Sequence, residues 1–133
     1  MPKNFFEELK WRGLIQDSTP GVDEELEKKS LSAYIGFDPT SDSLHIGSLV
    51  QLLILKHFQE YGHKPILLIG GATGMIGDPS GKSKERNLLS ERDISHNVEK
   101  IKNQVSKFLD FKKQKNPALI LNNHEWIGEL NII

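Results

Sequence analysis

At 133 residues, with 17 Lys and Arg against 18 Asp and Glu for a formal charge of -1, the chain is one domain or a piece of one. It lacks a whole-molecule field that would attract a polyanion, so any nucleic-acid contact must be local. Zero cysteines exclude disulfides and thiolate metal sites, no secretory leader is recognisable, and no apolar run reaches the ~20 residues that span a bilayer, so a cytoplasmic location away from membranes is expected.

Residues from about Asn4 to Leu14 read as a short helix with Phe5, Phe6, Leu9 and Trp11 on one stripe. Asp17 to Gly21 is a polar turn, and Glu24 to Lys29 a charged, solvated segment. The apolar run from Leu31 to Phe37, closed by Asp38 and Pro39, predicts a buried strand entering a loop. From Gly47 to Tyr61, Leu49, Leu52 and Leu53 separate from Lys56, Gln59 and Glu60 at helical spacing, and Gly62 stops the helix. Pro65 to Ile69 predicts a second buried strand, so strand, helix and strand form a right-handed crossover.

Ser90 with Asp93 has the form of a capping box. It precedes Ile94, Val98, Ile101, Val105, Phe108 and Leu109 on one helical face. Ala118 to Leu121 supplies a third strand. The result is βαβαβ, the first half of an α/β, Rossmann-like, doubly wound parallel sheet, preceded by an N-terminal helix. We divide the chain into residues 1–30, an N-terminal helix and linker, and residues 31–133, the N-terminal half of a Rossmann-like domain. His57, His63, His96 and His124 lack metal-ligand spacing and read as surface or capping residues. Lys112, Lys113 and Lys115 read as a solvated loop.

In such a sheet ligands lie beyond the carboxyl ends of the strands, which singles out two loops. The first, Tyr34 to Ser48, runs into a helix whose free N–H groups and dipole suit a phosphate. His45 stands at its threshold, Thr40 adds a hydroxyl, and Gly47 allows close approach. Read alone, a histidine before a glycine is more often a cap or a surface residue. The second loop, Gly70 to Arg86, holds five glycines with Asp78, Lys82 and Arg86. It fails the Walker pattern, because Gly77 and Gly81 stand one residue too close before Lys82 and Ser83. The dinucleotide fingerprint GxGxxG is absent too.

Two strings carry a resemblance: GFDPTSDSLHIG, Gly36 to Gly47, and GGATGMIGDPSGKSKER, Gly70 to Arg86. Together with WRGLI from Trp11, FLDF from Phe108 and NNHEWIG from Asn122, they resemble the bacterial-type tyrosyl-tRNA synthetase family, class I synthetases with a HUP-type nucleotidyl transferase fold, over nearly the whole chain. The resemblance implies a ligase that joins L-tyrosine to ATP, with Mg2+ accompanying the ATP and no protein-bound metal. It then passes the tyrosyl group to tRNA(Tyr), and the full-length enzyme is implied to be a homodimer.

By the family pattern, the catalytic set is His45, Thr40, Lys82 and Arg86, the first two donating to ATP phosphates and the last two lying in the basic loop that closes over pyrophosphate. ATP binding is implied for Gly36, Asp38, Thr40, His45, Gly47 and Ser48. The tyrosine pocket is implied for Tyr34, Asp78, Thr73 and Asn123, with Tyr34 on the substrate phenol and Asp78 on its ammonium group. Ser48 stands where the HIGH motif carries a second histidine. Family members continue into a second half of the sheet, a KMSKS-type loop and an RNA-binding region that are not found here. The chain alone is therefore expected to be inactive, holding the ATP site and part of the tyrosine site. Another HIGH-motif nucleotidyl transferase, such as a tryptophanyl-type enzyme or a cofactor adenylyltransferase, and a folded but catalytically incomplete fragment are the alternatives.

Overall fold

A computed structural model describes residues 2–76 and 90–130. Helix α1, Phe5–Trp11, opens on Asn4, whose side-chain oxygen accepts the Glu7 N–H at 2.8 Å. Phe5 is its buried anchor, set edge-on against Phe58 with ring centroids 5.0 Å apart. Trp11, expected on the same stripe, is 71% exposed, because α1 presents only one narrow side to the rest of the chain. Helix α2, Val22–Lys28, follows, with three acidic residues in its first turn and Lys28 in its last, an order that complements the helix dipole.

Strands β1, Ser32–Phe37, β2, Lys64–Ile69, and β3, Leu119–Asn122, form one parallel sheet in the order β1-β2-β3. Helix α3, Ser48–Glu60, crosses from β1 to β2. Helix α4, Gly71–Ile76, and helix α5, Glu91–Val105, lie between β2 and β3. A four-residue helix, α6, His124–Ile127, comes last. This is the expected α/β, Rossmann-like βαβαβ with an N-terminal helix. Helix α4 is an addition, since the glycine-rich string around it had read as loop.

Alternation along the strands gives the sheet two unlike faces. Phe37, Leu67 and Ile69 point into a core completed by Leu52 and Leu55 of α3, and by Ile94, Val98, Ile101 and Val105 of α5. The opposite face carries two registered rows, Tyr34–Ile66–Leu119 and Gly36–Leu68–Leu121. There Tyr34, Leu119 and Leu121 are exposed. The capping box opening α5 forms as expected, with Asp93 N–H donating to Ser90 Oγ at 3.2 Å and Ser90 N–H to Asp93 Oδ2 at 3.2 Å.

Two side chains assigned to the surface are buried. Gln59, placed on the polar arc of α3, is 4% exposed because the segment before β3 folds over it. Its amide donates to the carbonyls of Asp110 at 2.6 Å and Asn116 at 3.0 Å, and its oxygen accepts the Asp110 N–H at 2.9 Å. His63 is likewise buried, stacked on Phe58 with centroids 4.5 Å apart. Its Nδ1 accepts the Leu31 N–H at 3.3 Å. Burial pushes its imidazole below the usual histidine range.

Candidate functional site

The three strands end level with one another: Phe37 is in register with Ile69, and Ile69 with Asn122. The ladder continues one step further, with Gly70 N–H donating to Phe37 O at 2.9 Å and Asn123 N–H to Ile69 O at 2.9 Å. Asp38, Gly70 and Asn123 therefore form a rim at the carboxyl edge, where parallel α/β sheets bind ligands. A Cβ on Gly70 would collide with Thr73 Oγ1 and lie 2.7 Å from Asp38 Oδ1. The glycine thus lets the Asp38 and Thr73 side chains converge on one point.

The far side of the rim is stitched by two adjacent asparagines. Asn122 Oδ1 accepts the Gly71 N–H at 3.1 Å, and Asn123 Oδ1 accepts the Ala72 N–H at 2.8 Å. Asn123 also donates to Thr73 Oγ1 at 3.3 Å. These bonds satisfy donors at the start of α4 that would otherwise lack partners. Asn123 and Thr73, read as pocket or capping residues, are brought together; Asn123 is buried and Thr73 exposed.

On the near side, the segment from Asp38 to Gly47 projects Thr40 and His45 into solvent. The amide donors expected to be free at the opening of α3 are taken. Gly47 N–H donates to His45 Nδ1 at 3.0 Å, Ser48 N–H to His45 O at 3.0 Å, and Leu49 N–H to Ile46 O at 3.0 Å. The reason is a tight turn through residues 45–48 that precedes the helix and uses these donors itself. A Cβ on Gly47 would stand 2.8 Å from His45 Cε1, so the glycine allows the imidazole to fold over the turn. Because Nδ1 accepts, the neutral ring carries its proton on Nε2, which makes Nε2 the outward donor. Ser48 is buried in the first turn of α3.

These features gather polar side chains and close-approach glycines at the carboxyl edge, and the family model described as tRNA synthetases class I (W and Y) matches residues 26–133. The chain belongs to this family. A tyrosine–tRNA ligase of Flavobacterium johnsoniae is 59% identical over 132 residues, covering 98% of this chain and 31% of that protein. The corresponding ligase of Bacteroides fragilis is 56% identical over 131 residues, covering 98% of this chain and 30% of its own length. Among solved structures, a C-terminally truncated mitochondrial tyrosyl-tRNA synthetase of Aspergillus nidulans superposes with a TM-score of 0.81 at 25% identity, covering 98% of this chain and 40% of that one. The chain thus spans about a third of the curated relatives it matches, 31% of the first.

In this class I synthetase segment, Asp38, Thr40, His45, Gly47, Thr73 and Asn123 lie at the carboxyl edge. Tyr34 and Gly36 lie two residues apart on the open face of β1, with Tyr34 67% exposed. Asp78, Lys82 and Arg86 lie outside the described residues. Among the described residues no group of three or more His, Asp or Glu side chains is arranged to hold a metal ion, and no helix is long and apolar enough to cross a membrane. A groove of about 740 Å³ lined by Pro2, Glu7, Glu8, Trp11, Arg12 and Tyr61 sits at the opposite, amino-terminal end of the sheet.

Sequence reasoning missed the side chains that hold the near loop. Asn97 Nδ2 donates to Pro39 O at 2.9 Å. Gln104 Oε1 accepts the Leu44 N–H at 2.8 Å, and its Nε2 donates to Leu44 O at 3.4 Å. Both flank the apolar stripe of α5, where a polar residue carries no signal that separates solvation from a tertiary bond.

Proposed function

We propose that this chain is the nucleotide-binding portion of a tyrosine–tRNA ligase, which activates L-tyrosine with ATP and transfers the tyrosyl group to tRNA(Tyr). In activation a tyrosine carboxylate oxygen attacks the α-phosphorus of ATP; the bond to the bridging oxygen breaks, and pyrophosphate leaves with the electron pair. Charge grows on phosphate oxygens, so the useful protein groups are fixed donors rather than a base. The observation that carries the reading is the hydrogen bond from Gly47 N–H to His45 Nδ1 at 3.0 Å, which leaves Nε2 of the exposed ring as the nitrogen able to donate.

Thr40 supplies the second donor, while Lys82 and Arg86 meet the departing pyrophosphate. Asp38, Gly36, Gly47 and Ser48 surround the nucleotide. Tyr34 faces the substrate phenol, Asp78 takes the ammonium group, and Thr73 with Asn123 shapes the far wall. Mg2+ enters with ATP and neutralises phosphate charge. Residues 31–133 form the N-terminal half of the catalytic domain, and the full-length enzyme works in the cytoplasm as a homodimer. The names of relatives 56–59% identical favour tyrosine over tryptophan as the amino acid.

The test is tyrosine-dependent ATP–pyrophosphate exchange in the full-length protein. His45→Ala and Thr40→Ala are each expected to lower kcat by about 10²- to 10³-fold, as loss of a transition-state donor does, with KM for tyrosine little changed. Unchanged exchange in both variants, or exchange driven by tryptophan in preference to tyrosine, would overturn the reading.

A further inference from the structure

The two residues proposed to donate to phosphate are each preceded by an anchored residue. Pro39, fully buried, precedes Thr40, and Leu44, packed against the core, precedes His45. Each anchor is also gripped by a carboxamide from α5, Asn97 on Pro39 O at 2.9 Å and Gln104 on both peptide groups of Leu44 at 2.8 and 3.4 Å. Asn97 and Gln104 are seven residues apart on one helix, so they share a face about 10 Å apart along the axis at a rise of about 1.5 Å per residue. The same helix supplies Ile94, Val98, Ile101 and Val105 to the core.

We infer that Asn97 and Gln104 are positioning residues for tyrosine activation, α5 acting as a ruler that sets where Thr40 and His45 stand. The inference rests on the phosphate roles proposed for those two residues. The two-point grip of Gln104 fixes the two peptide planes that flank the Leu44 Cα relative to each other, because one carboxamide accepts from the N–H of the first and donates to the carbonyl of the second. His45 begins at the next Cα. Its Nε2 lies at the end of a side chain, so a small rotation of the preceding peptide becomes a larger displacement of the donor. Donors that stabilise developing charge must stand in place before charge develops, and a misplacement of about 1 Å costs on the order of 10²-fold in rate. Asn97, itself buried at 8% exposure, holds the carbonyl of the Pro39–Thr40 peptide by a single bond and so positions Thr40.

A cycle in the full-length protein tests this, read by tyrosine-dependent ATP–pyrophosphate exchange. Gln104→Leu is expected to lower kcat by about 10²-fold with KM for tyrosine unchanged, and to cost less than about threefold once His45 is already alanine. Asn97→Leu paired with Thr40→Ala gives the parallel expectation. Gln104→Glu keeps an acceptor for the Leu44 N–H and loses the donor to Leu44 O; it is expected to fall between the parent and Gln104→Leu. It replaces the leucine variant in the cycle if that one does not fold. An equal penalty for the Gln104 substitution with and without His45, or no loss of kcat, overturns the inference alone. Unaltered kcat in both His45→Ala and Thr40→Ala overturns the phosphate reading, and this inference with it.

Discussion

Asn123 and Ala72, 51 positions apart in sequence, are joined by a 2.8 Å hydrogen bond in which the asparagine oxygen accepts the second amide of α4. The same carboxamide donates to Thr73 Oγ1 at 3.3 Å, so two bonds from one side chain tie the end of β3 to the start of α4. Asn123→Ala leaves a buried N–H without a partner, and a loss of about 1–3 kcal/mol is expected. Equilibrium denaturation of the two proteins measures it; a loss below about 0.5 kcal/mol, the low end for a lost helix cap, would mean that the bond is replaced by solvent.

The rim glycines separate into those that a side chain would disturb and those that it would not. Gly70→Ala forces its Cβ against Thr73 Oγ1 and Asp38 Oδ1, and a destabilisation of about 1–3 kcal/mol is expected for such overpacking. At Gly36 nothing lies within 4 Å of an added Cβ. Gly36→Ala, at the next-to-last residue of β1, is therefore expected to be neutral or to stabilise by up to about 1 kcal/mol. Differential scanning of the pair reads this contrast, and reversal of the order would contradict the geometry.

His63 gives a pH dependence whose sign follows from its burial. Its pKa in the folded chain is lowered, with burial as the cause, while the unfolded chain keeps the ordinary value of about 6.5. Between those two values the unfolded state binds more protons, so stability falls as pH drops from about 6.5 toward the folded pKa and is fully present above about 6.5. Protonation would also leave Nδ1 unable to accept the Leu31 N–H. His63→Phe keeps a ring against Phe58 and removes the titrating group. Urea unfolding across pH 5 to 7 is expected to show a shallower slope for the variant; parallel curves would show that His63 does not contribute.

Gln59 satisfies three peptide groups of the segment before β3 from within α3. Gln59→Leu has nearly the same volume but leaves those groups unpaired, and a loss of about 3 kcal/mol is expected. Chemical denaturation checks the size. A variant as stable as the parent would mean that water replaces all three bonds.

The parts of this fold that could be read in the sequence were those decided locally. Strands β1 and β2 declared themselves as short apolar runs between polar or glycine punctuation, and the Ser90–Asp93 capping box marked the start of α5 to the residue. What escaped depends on partners far along the chain. Helix α4 has two glycines in six residues, a poor local case for a helix, and draws on Asn122 and Asn123 about 50 positions later. Gln59 and His63 looked like surface residues because the segments that cover them could not be placed from periodicity. Strand-end reasoning singled out the loop that carries Asp38, Thr40 and His45, whereas Asn97 and Gln104, which bond to that loop, lie on a helix 58 and 60 positions from their targets.

The open side of the sheet bears on how this polypeptide must be handled. With Tyr34, Leu119 and Leu121 presented to water in adjoining rows, a purified sample of the segment by itself brings self-adhesion into competition with folding. Its yield and apparent melting point will then vary with concentration, and calorimetry at a single protein concentration would mistake colloidal loss for intrinsic fragility.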